Sequence, residues 1–541
     1  MRKFYVFKES GTFSDTLECL GLAKLIKNVS QDNTALTIYD KGAYYQLELE
    51  KEIDLKNLLI EFFYLFKYVT KKNENSSHDF PVINYDIERE IVSKYSNLTP
   101  EEKEKDGIQK PNKNYDIIRL LSGIDGHRVA FNNWVKFKDN FNDFVKFLLE
   151  YYSKFNISER KNLYKTFNVK YKIKNIKKIN ALQDIDPDKG KGINRIKADS
   201  VTPSAYGKIL WFKQLLKFAG LWEGGISKYF NKDYKTYVIT PYEINYDYFS
   251  VVFNDVKVNI SGKTSIKFDI ILQLNLIEKL IYHHKNYTES WNIFEPKRAI
   301  SGIQFAYYKS LGQKPAVTNI GFLGLPQLIA IKNEKDGNEW IEVIKEHKNV
   351  INSINDSYSS NVKMLINYRE FLSSSIYEHF FEFCFSYGTY LMRKSELKPY
   401  MIFTKNKMEV LFMSEIRFRE ILENEGFKAI ANAIRNSTIK PAISNDPDAK
   451  KNIVFGLSNK LKIASRNKEL FVEEISNFVQ NYNEKNMLSD YHGKQHHKYI
   501  TNEEFQKFIE LIDNSNVSVK TIAGLLVAYG YTREQKEEQN N

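Results

Sequence analysis

The residues with the clearest chemical capability in this sequence are lysines, which crowd one segment of the chain. Between residues 160 and 217, fifteen Lys and Arg residues stand against four Asp residues, a local net charge of +11 in a chain whose total is +12. Closely spaced cations bind phosphates, and such contacts supply much of the affinity of proteins for nucleic acids. The segment therefore predicts an anionic partner, and its chemistry favours nucleic acid.

Within this segment, the run Lys-Tyr-Lys-Ile-Lys at 170–174 alternates basic and apolar residues. A period of two places alternate side chains on opposite faces of a strand, so the run predicts a lysine face that follows a phosphate backbone. A solvated edge strand, whose lysines discourage edge pairing, is the alternative. The candidate nucleic-acid-binding residues of this segment are Lys170, Lys172, Lys174, Lys177, Lys178, Lys189, Lys191, Arg195 and Lys197.

A second basic region lies between residues 428 and 468, where nine Lys and Arg residues stand against two Asp residues. The net charge of +7 falls on residues that the periodicity assigns to two helices, which predicts a second nucleic-acid face. An ordinary soluble helix surface is the alternative. The candidates of this region are Lys428, Arg435, Lys450, Lys451, Lys462 and Arg466.

One motif resembles a phosphate-binding loop, the Gly-Lys-Thr sequence at 262–264. The full loop needs a glycine five residues before the first residue of the motif, where Lys257 stands, and it opens a helix after a strand. The alternating apolar residues on both sides instead predict two strands, at 256–260 and 266–270, with the motif in their turn. We therefore expect no nucleotide site here.

Histidine and cysteine are the other candidate ligands. His492, His496 and His497 cluster between predicted helices, and a solvated linker is favoured over a zinc site because no carboxylate or thiolate stands at ligand spacing. Cys19 and Cys384 lie far apart and are expected to be reduced thiols. The prediction is a protein without enzymatic activity, cofactor or metal.

The elements that must position these residues differ between the two parts of the chain. Apolar alternation at 36–38 and 45–49, around a turn at 40–42, predicts an antiparallel hairpin. From about residue 413, apolar residues recur three and four apart and predict five short helices, one of them opened by a capping box of Thr501 and Glu504. Further helices are expected at 55–69, 134–155 and 205–218.

These patterns predict an α+β protein, with a mixed α/β N-terminal region that contains antiparallel hairpins and a C-terminal α-helical bundle. The expected divisions are an N-terminal nucleic-acid and subunit-contacting domain at 1–290, a mixed connecting region at 291–412 and the bundle at 413–541. No run approaches the ~18 apolar residues of a membrane span, and no secretory signal follows the N-terminus. The expected location is the cytoplasm, with no membrane partner.

Three stretches of the bundle carry a resemblance to a known family. They are Glu-Gly-Phe-Lys-Ala-Ile-Ala-Asn-Ala-Ile-Arg-Asn-Ser-Thr at 425–438, Phe-Val-Gln-Asn-Tyr-Asn at 478–483 and Leu-Leu-Val-Ala-Tyr-Gly-Tyr at 525–531. Their order and spacing resemble the C-terminal part of the large subunit of type I CRISPR effector complexes (Cascade), of the I-A/I-B kind. The resemblance covers about the last quarter of the chain.

The resemblance implies a DNA-recognition subunit of a CRISPR ribonucleoprotein. Such a subunit contacts the protospacer-adjacent motif of the target duplex and lies near the 5′ handle of the guide RNA, while its bundle lines the R-loop and holds the displaced strand. The implied partners also include other Cascade subunits and a recruited helicase-nuclease. Asn132 and Asn133 are expected candidates for reading adenine edges; an ordinary loop before the Trp134 helix is the alternative.

The resemblance further implies that the bundle exists as a free copy, made from an internal start near Met413, as in several such systems. Two other classes of function stay open at the level of sequence. One is a nucleic-acid-processing defence enzyme, which would bind a metal or nucleotide. The other is a protein-only scaffold, whose partner binding would depend weakly on salt.

Overall fold

The computed structural model describes residues 2–30, 34–75, 77–171, 178–180, 182–189, 208–258, 264–287, 293–311, 315–451, 453–491 and 497–535. Its strands and helices are numbered in chain order. The first are β1 (Lys3–Phe7), α1 (Phe13–Val29), β2 (Leu36–Asp40), β3 (Tyr44–Leu49), β4 (Tyr68–Val69), β5 (Val82–Ile83), α2 (Tyr85–Ser96), α3 (Pro100–Lys103), α4 (Tyr115–Ser122), α5 (Asp125–Val135), α6 (Phe141–Ser153) and α7 (Ile157–Tyr171).

The middle of the chain continues with strands and helices in alternation. They are β6 (Lys178–Asn180), β7 (Lys208–Leu210), α8 (Trp211–Gly224), β8 (Gly225–Phe230), β9 (Asp233–Pro241), β10 (Glu243–Asn245), α9 (Tyr246–Val258), α10 (Ser265–His284), α11 (Pro296–Ala299), β11 (Ile300–Ser310) and β12 (Pro315–Gly324).

The described part of the chain after β12 is helical, apart from isolated bridges. Its helices are α12 (Glu334–Ser353), α13 (Ser359–Ser374), α14 (Tyr377–Met392), α15 (Lys405–Met413), α16 (Ile416–Glu423), α17 (Glu425–Ser437), α18 (Ile439–Ala442), α19 (Pro447–Lys450), α20 (Leu457–Ala464), α21 (Lys468–Tyr491), α22 (Asn502–Asn514) and α23 (Val519–Gly530).

The chain forms two compact units. The first contains residues 1–260 and 297–324, and the second contains 261–296 and 325–541. The two units do not follow the domain boundaries expected at 290 and 412. Helix α10 packs with the helices of the second unit, and the β11–β12 hairpin pairs with β9 of the first unit. The predicted bundle shares its unit with α12 to α15.

The first unit has two antiparallel four-stranded sheets, ordered β1-β3-β2-β10 and β12-β11-β9-β8. Helix α1 lies between them, since the Thr16 hydroxyl is 2.9 Å from the Tyr45 hydroxyl of the first sheet and 3.0 Å from the Gln304 amide oxygen of the second. Nearly every residue of α1 is buried, so this helix forms the centre of the unit.

The second unit is built around two helices that are buried on most of their faces. Helix α10 packs against α12 and α13, and α23 packs against α14, α17 and α20. Residues Thr521 to Gly530 of α23 are all buried. Gly524 lets α23 approach α14 closely, because a Cβ there would lie 2.3 Å from the Phe381 ring.

The structure is α+β as predicted, and the predicted hairpin and bundle helices form. Strands β2 and β3 pair antiparallel and bury the alternating residues of both runs. The apolar faces of α17, α21, α22 and α23 are buried. The capping box of α22 is also present, since the Thr501 hydroxyl accepts a 3.2 Å bond from the Glu504 N–H and the Glu504 carboxylate accepts a 2.9 Å bond from the Thr501 N–H.

The strands predicted at 256–260 and 266–270 are wrong, because these residues belong to helical segments wherever they are described. Helix α9 extends to Val258, and α10 begins at Ser265. Helix α10 is buried on nearly all sides, so it has no polar stripe that would show a helical period. Its first apolar residues therefore resemble the alternation of a strand.

The helix predicted at 55–69 is also wrong. This stretch is irregular and ends in β4, and its aromatic residues pack on α5 and α6. The Trp134 indole N–H donates a 2.7 Å bond to the Phe63 carbonyl, which fixes the irregular backbone. The helix predicted at 134–155 is interrupted between α5 and α6 by a short 3₁₀ turn at Lys138–Asn140. The helix predicted at 205–218 forms as α8, which begins at Trp211 and follows strand β7.

Candidate nucleic-acid interface

The lysine-rich segment begins on a helix and not on the predicted strand. Lys170 lies in the last turn of α7, where its ammonium group is 3.0 Å from Asp143. Lys161 and Lys165 of the same helix are exposed and have no ion pair with any described residue. Of the run at 170–174, the structure describes only Lys170 and Tyr171, and both are helical; the rest of the predicted strand lies outside the described residues.

Of the other candidates of this segment, Lys178 and Lys189 are among the described residues. Lys178 is the first residue of β6, which pairs antiparallel with β7. Lys189 ends a short 3₁₀ helix and its ammonium group is 2.6 Å from Asp188. The remaining candidates lie outside the described residues; they are Lys172, Lys174, Lys177, Lys191, Arg195 and Lys197.

A buried carboxylate anchors residues 182–189 of this segment to the core. Asp186 is 1% exposed and accepts bonds from the Ser14 hydroxyl at 2.8 Å, the Gln214 amide at 2.8 Å and the Lys217 ammonium at 2.7 Å. Burial alone would raise the pKa of Asp186, but the charge of Lys217 and these hydrogen bonds lower it below the usual value. The carboxylate therefore stays ionised and holds the segment in place.

Three basic residues counted in the segment are buried and engaged, so they do not contribute to a phosphate-binding surface. Arg160 donates 2.7 Å bonds to the carbonyls of Tyr5 and Lys154. Lys213 lies 3.0 Å from Glu9, and Lys217 pairs with Asp186. The positive charge available at the surface of this segment is therefore smaller than the sequence count indicates.

Asn132 and Asn133 lie inside helix α5 and not in the loop that the alternative assumed. Asn133 is buried, so it cannot reach a base edge without unfolding the helix. The prediction for Asn133 is wrong for this reason. Asn132 is exposed to solvent, and its role stays a prediction.

The second basic region contains several exposed cations that have no ion pair with a described residue. Lys428 on α17, Lys450 on α19 and Arg466 just after α20 are exposed, and so is Lys440 on α18. Within the described ranges none of these four has an ion pair. Lys451 and Lys462 are paired, with Asp448 and Glu382 respectively, each at 2.7 Å. The second of the five helices expected from about residue 413, which was to begin at Pro447, is instead two separate helices, α19 and α20.

The prediction that Arg435 binds nucleic acid is wrong. Its side chain is buried, and the guanidinium donates to the Thr532 carbonyl at 3.1 Å and the Tyr529 carbonyl at 3.0 Å. Burial also lowers its pKa below the usual value. Arg435 therefore ties α17 to the end of α23 and does not bind phosphate. The local sequence around Arg435 carries no sign of this, because its partners are about a hundred residues away.

The candidate metal ligands of the chain are its histidine, cysteine and acidic side chains. Among the described residues, no group of three or more His, Cys, Asp and Glu residues is placed to hold a metal ion. Both cysteines are buried, and burial raises the pKa of each thiol well above its usual value. Of the Gly-Lys-Thr motif only Thr264 is described, where it precedes α10; helix α9, and not a strand, comes before the motif. His492 and His496 lie outside the described ranges.

None of the described helices is long and apolar enough to cross a bilayer. Comparison with known proteins gave no assignment. No protein-family model matches this chain, and no curated protein sequence matches it with significance.

Proposed function

We propose that this protein is the DNA-binding large subunit of a CRISPR interference ribonucleoprotein. In this proposal it recognises the protospacer-adjacent motif in the target duplex, supports R-loop formation and helps recruit a separate helicase-nuclease. It acts in the cytoplasm with the guide RNA and other Cascade subunits, and it needs no catalytic centre of its own. The specific sequence of the target is then read by base pairing with the guide and not by protein side chains.

The observation that carries the proposal is the group of exposed cations in the helical unit. Lys428, Lys440, Lys450 and Arg466 lie within a forty-residue stretch and have no acidic partner among the described residues. An unpaired surface cation releases counterions from DNA when it meets a phosphate, which gives a salt-dependent, sequence-tolerant affinity. This is the contribution expected of a subunit that holds a DNA backbone while RNA pairing supplies specificity.

The first experiment is purification of the tagged full-length protein from its native host. The proposal predicts that RNA of uniform short length and several companion proteins copurify. A single species free of nucleic acid, under conditions that preserve known ribonucleoproteins, would overturn it. A bound metal or nucleotide with hydrolytic activity would instead favour a defence enzyme, and companions without RNA would favour a scaffold.

The second experiment tests the cations directly. The triple variant Lys440→Glu, Lys450→Glu and Arg466→Glu should weaken duplex binding and lower the slope of log K against log salt by about three. A matched variant with the same charge change at exposed lysines of the same unit, Lys335, Lys363 and Lys398, is the control. Equal losses in both variants would show that net charge alone, and not the positions of these three cations, determines binding.

A further inference from the structure

The two four-stranded sheets of the first unit have four edge strands, which are β1, β10, β8 and β12. An edge strand exposes main-chain N–H and C=O groups that can pair with a strand of another chain. Proteins prevent such pairing by covering the edge, by keeping the edge strand short or by placing charged side chains on it. The four edges differ in whether they have this protection.

Three of the edges are covered or short. Helix α6 packs against β1, and the Arg160 guanidinium donates a 2.7 Å bond to the Tyr5 carbonyl of that strand. Helix α4 packs against β8, where the Arg119 guanidinium lies 3.8 Å from the centroid of the Tyr229 ring. Strand β10 has three residues and is followed directly by α9. These edges therefore offer little main chain to a further strand.

Strand β12 is long and carries no charge. It has ten residues, and none of them is charged. Its first residue, Pro315, accepts a 2.7 Å bond from the Gln183 amide. Over residues 316–323, every hydrogen bond to a described residue goes to β11. The outward main-chain groups of these residues therefore have no partner in the described part of the chain, and no charged side chain of β12 disfavours pairing.

A bulge limits the regular part of this edge. The register with β11 shifts between the Tyr307–Asn319 and Tyr308–Val317 pairs, so Thr318 has no pairing partner on β11. Regular pairing then continues from Asn319 to the end of the strand. We call residues 319–323 the edge segment. Asn319 is exposed, and Phe322 is 50% exposed, so this segment is in contact with solvent.

The side chains of the edge segment specify the chemistry of a pairing strand. Ile320 and Phe322 are two residues apart, which places them on the same face of the sheet, and both are at least partly exposed. Apolar β-branched and aromatic side chains of a neighbouring strand pack well against such residues. The edge segment has no charge that requires a counter-ion. A complementary strand is therefore extended and uncharged, with apolar residues at alternate positions.

The length of the edge segment favours a peptide over a second copy of this chain. Each partner in a stable dimer contributes roughly 20–30 residues to the interface, which is many more than the edge segment contains. A bound peptide needs only one strand, because main-chain hydrogen bonds supply its affinity and contacts to alternate side chains supply its specificity.

We propose that the edge segment binds an extended peptide segment of another protein, which adds to the β12-β11-β9-β8 sheet as a further strand beside β12. The alternate apolar side chains of this peptide pack on Ile320 and Phe322. The inference goes beyond the function proposed above and does not depend on it, because it uses neither basic region.

The test is titration of the full-length protein into a fluorescently labelled hexapeptide of alternating valine and threonine, followed by fluorescence anisotropy. Hydrogen exchange measured by mass spectrometry reports the amides of β12 in the same samples. We expect binding that slows amide exchange in the edge segment. The same peptide methylated at its backbone nitrogens should bind about ten-fold more weakly, because it cannot donate hydrogen bonds to β12.

The double variant Asn319→Lys and Phe322→Lys places charge on the edge and removes an apolar contact. It should weaken peptide binding about five-fold and leave the Tm close to that of the parent protein, because both side chains are exposed. The matched control is Asn132→Lys and Val169→Lys, which makes the same charge change at exposed helix positions of the same unit. The control should bind the peptide as the parent protein does.

Four outcomes would overturn the proposal. The first is an absence of peptide binding, and the second is binding that the methylated peptide or the double variant retains in full. The third is slow amide exchange in the edge segment without the peptide, which would show that this chain already pairs the edge. The fourth is a dimeric parent protein that the double variant makes monomeric, which would assign the edge to a second copy.

Discussion

At the scale of single residues, the charges with the largest expected effect on the free energy of unfolding are buried ones. Lys217 and Asp186 form a buried ion pair that is completed by Ser14 and Gln214. Burial lowers the pKa of Lys217, but the charges of Asp186 and Glu18 and the hydrogen bond to Asp186 together raise it above its usual value, so Lys217 and Asp186 stay charged together. Removal of either partner would leave a charge without compensation inside the first unit.

Lys217→Met should therefore lower the free energy of unfolding by about 3–5 kcal/mol, because Asp186 would be left buried without its cation. Urea denaturation followed by circular dichroism measures this loss. Lys161→Met, at an exposed position of α7, is the matched control and should change stability by less than about 0.5 kcal/mol. A loss of similar size in both variants would contradict the role given to the pair.

His127 gives a prediction for pH. It is fully buried among the rings of Phe66 and Phe218, and burial lowers its pKa to about 3. The unfolded chain, with a pKa near 6.5, binds a proton first as pH falls, so folding stability is complete above about pH 6.5 and declines below it. The expected contribution is up to about 1.4 kcal/mol per pH unit between 6.5 and 3.

His127→Phe should flatten this decline, since the variant has no group to protonate at that site. The free energy of unfolding, measured by urea denaturation at intervals from pH 7 to pH 4, gives the slope directly. His379→Phe, at a half-buried position of α14, is the control variant. An unchanged slope in His127→Phe would show that other groups govern the acid sensitivity.

At the scale of elements, the first unit depends on how closely α1 and α8 approach. Gly21 and Gly220 lie at their crossing, where a Cβ on either would come within 1.9 Å of a backbone carbonyl oxygen of the other helix, of Leu216 and Leu17 respectively. Backbone atoms cannot move aside as a flexible side chain can, so the crossing requires both glycines. The two sheets then pack around this helix pair.

Gly21→Ala should cost about 3 kcal/mol or more, because the added methyl group forces the two helices apart. Thermal unfolding of the variant should show a clear drop in Tm. Gly123→Ala is the control, since its nearest atom to a built Cβ is 3.5 Å away and its backbone angles suit any residue. Unchanged Tm values for Gly21→Ala would mean that the helices can separate freely.

At the scale of the whole molecule, the second unit bears on the hypothesis of a free bundle copy. Helix α23 is buried along Thr521–Gly530, and part of that burial comes from α14, which precedes Met413 in the chain. The Gly388 and Gly524 positions bring α14 against Ser458, Tyr531 and α23 itself. A fragment that begins at Met413 would expose this apolar surface.

We therefore expect residues 413–541 alone to aggregate or to bind an apolar dye, whereas the full-length chain, in which α14 covers α23, should do neither. Expression of the fragment and of the full-length chain, followed by size-exclusion chromatography and thermal unfolding, tests this. A monomeric, cooperative 413–541 fragment would contradict the expectation and would strengthen the hypothesis of a functional copy from an internal start.

The amino-acid sequence determined those elements that have one buried and one exposed face. The hairpin β2–β3 shows a period of two, and α17, α21 and α22 show a period near 3.6, because in each case solvent and core impose opposite residue types on opposite faces. The capping box of α22 is equally local, since its four hydrogen-bonding groups lie within four residues. The α+β class follows from the order of these patterns.

Only the tertiary structure decided the secondary structure of uniformly apolar segments. It also decided which charged residues are buried. Helix α10 is surrounded by protein and so carries no polar stripe, and its sequence resembles a strand over short windows. Arg435 and Lys217 look like members of basic surfaces, yet each is buried by partners that are distant in sequence. The periodicity of apolar residues is a local property of the sequence. Burial, ion pairs and cavities depend on contacts between distant segments, which come together only when the chain folds.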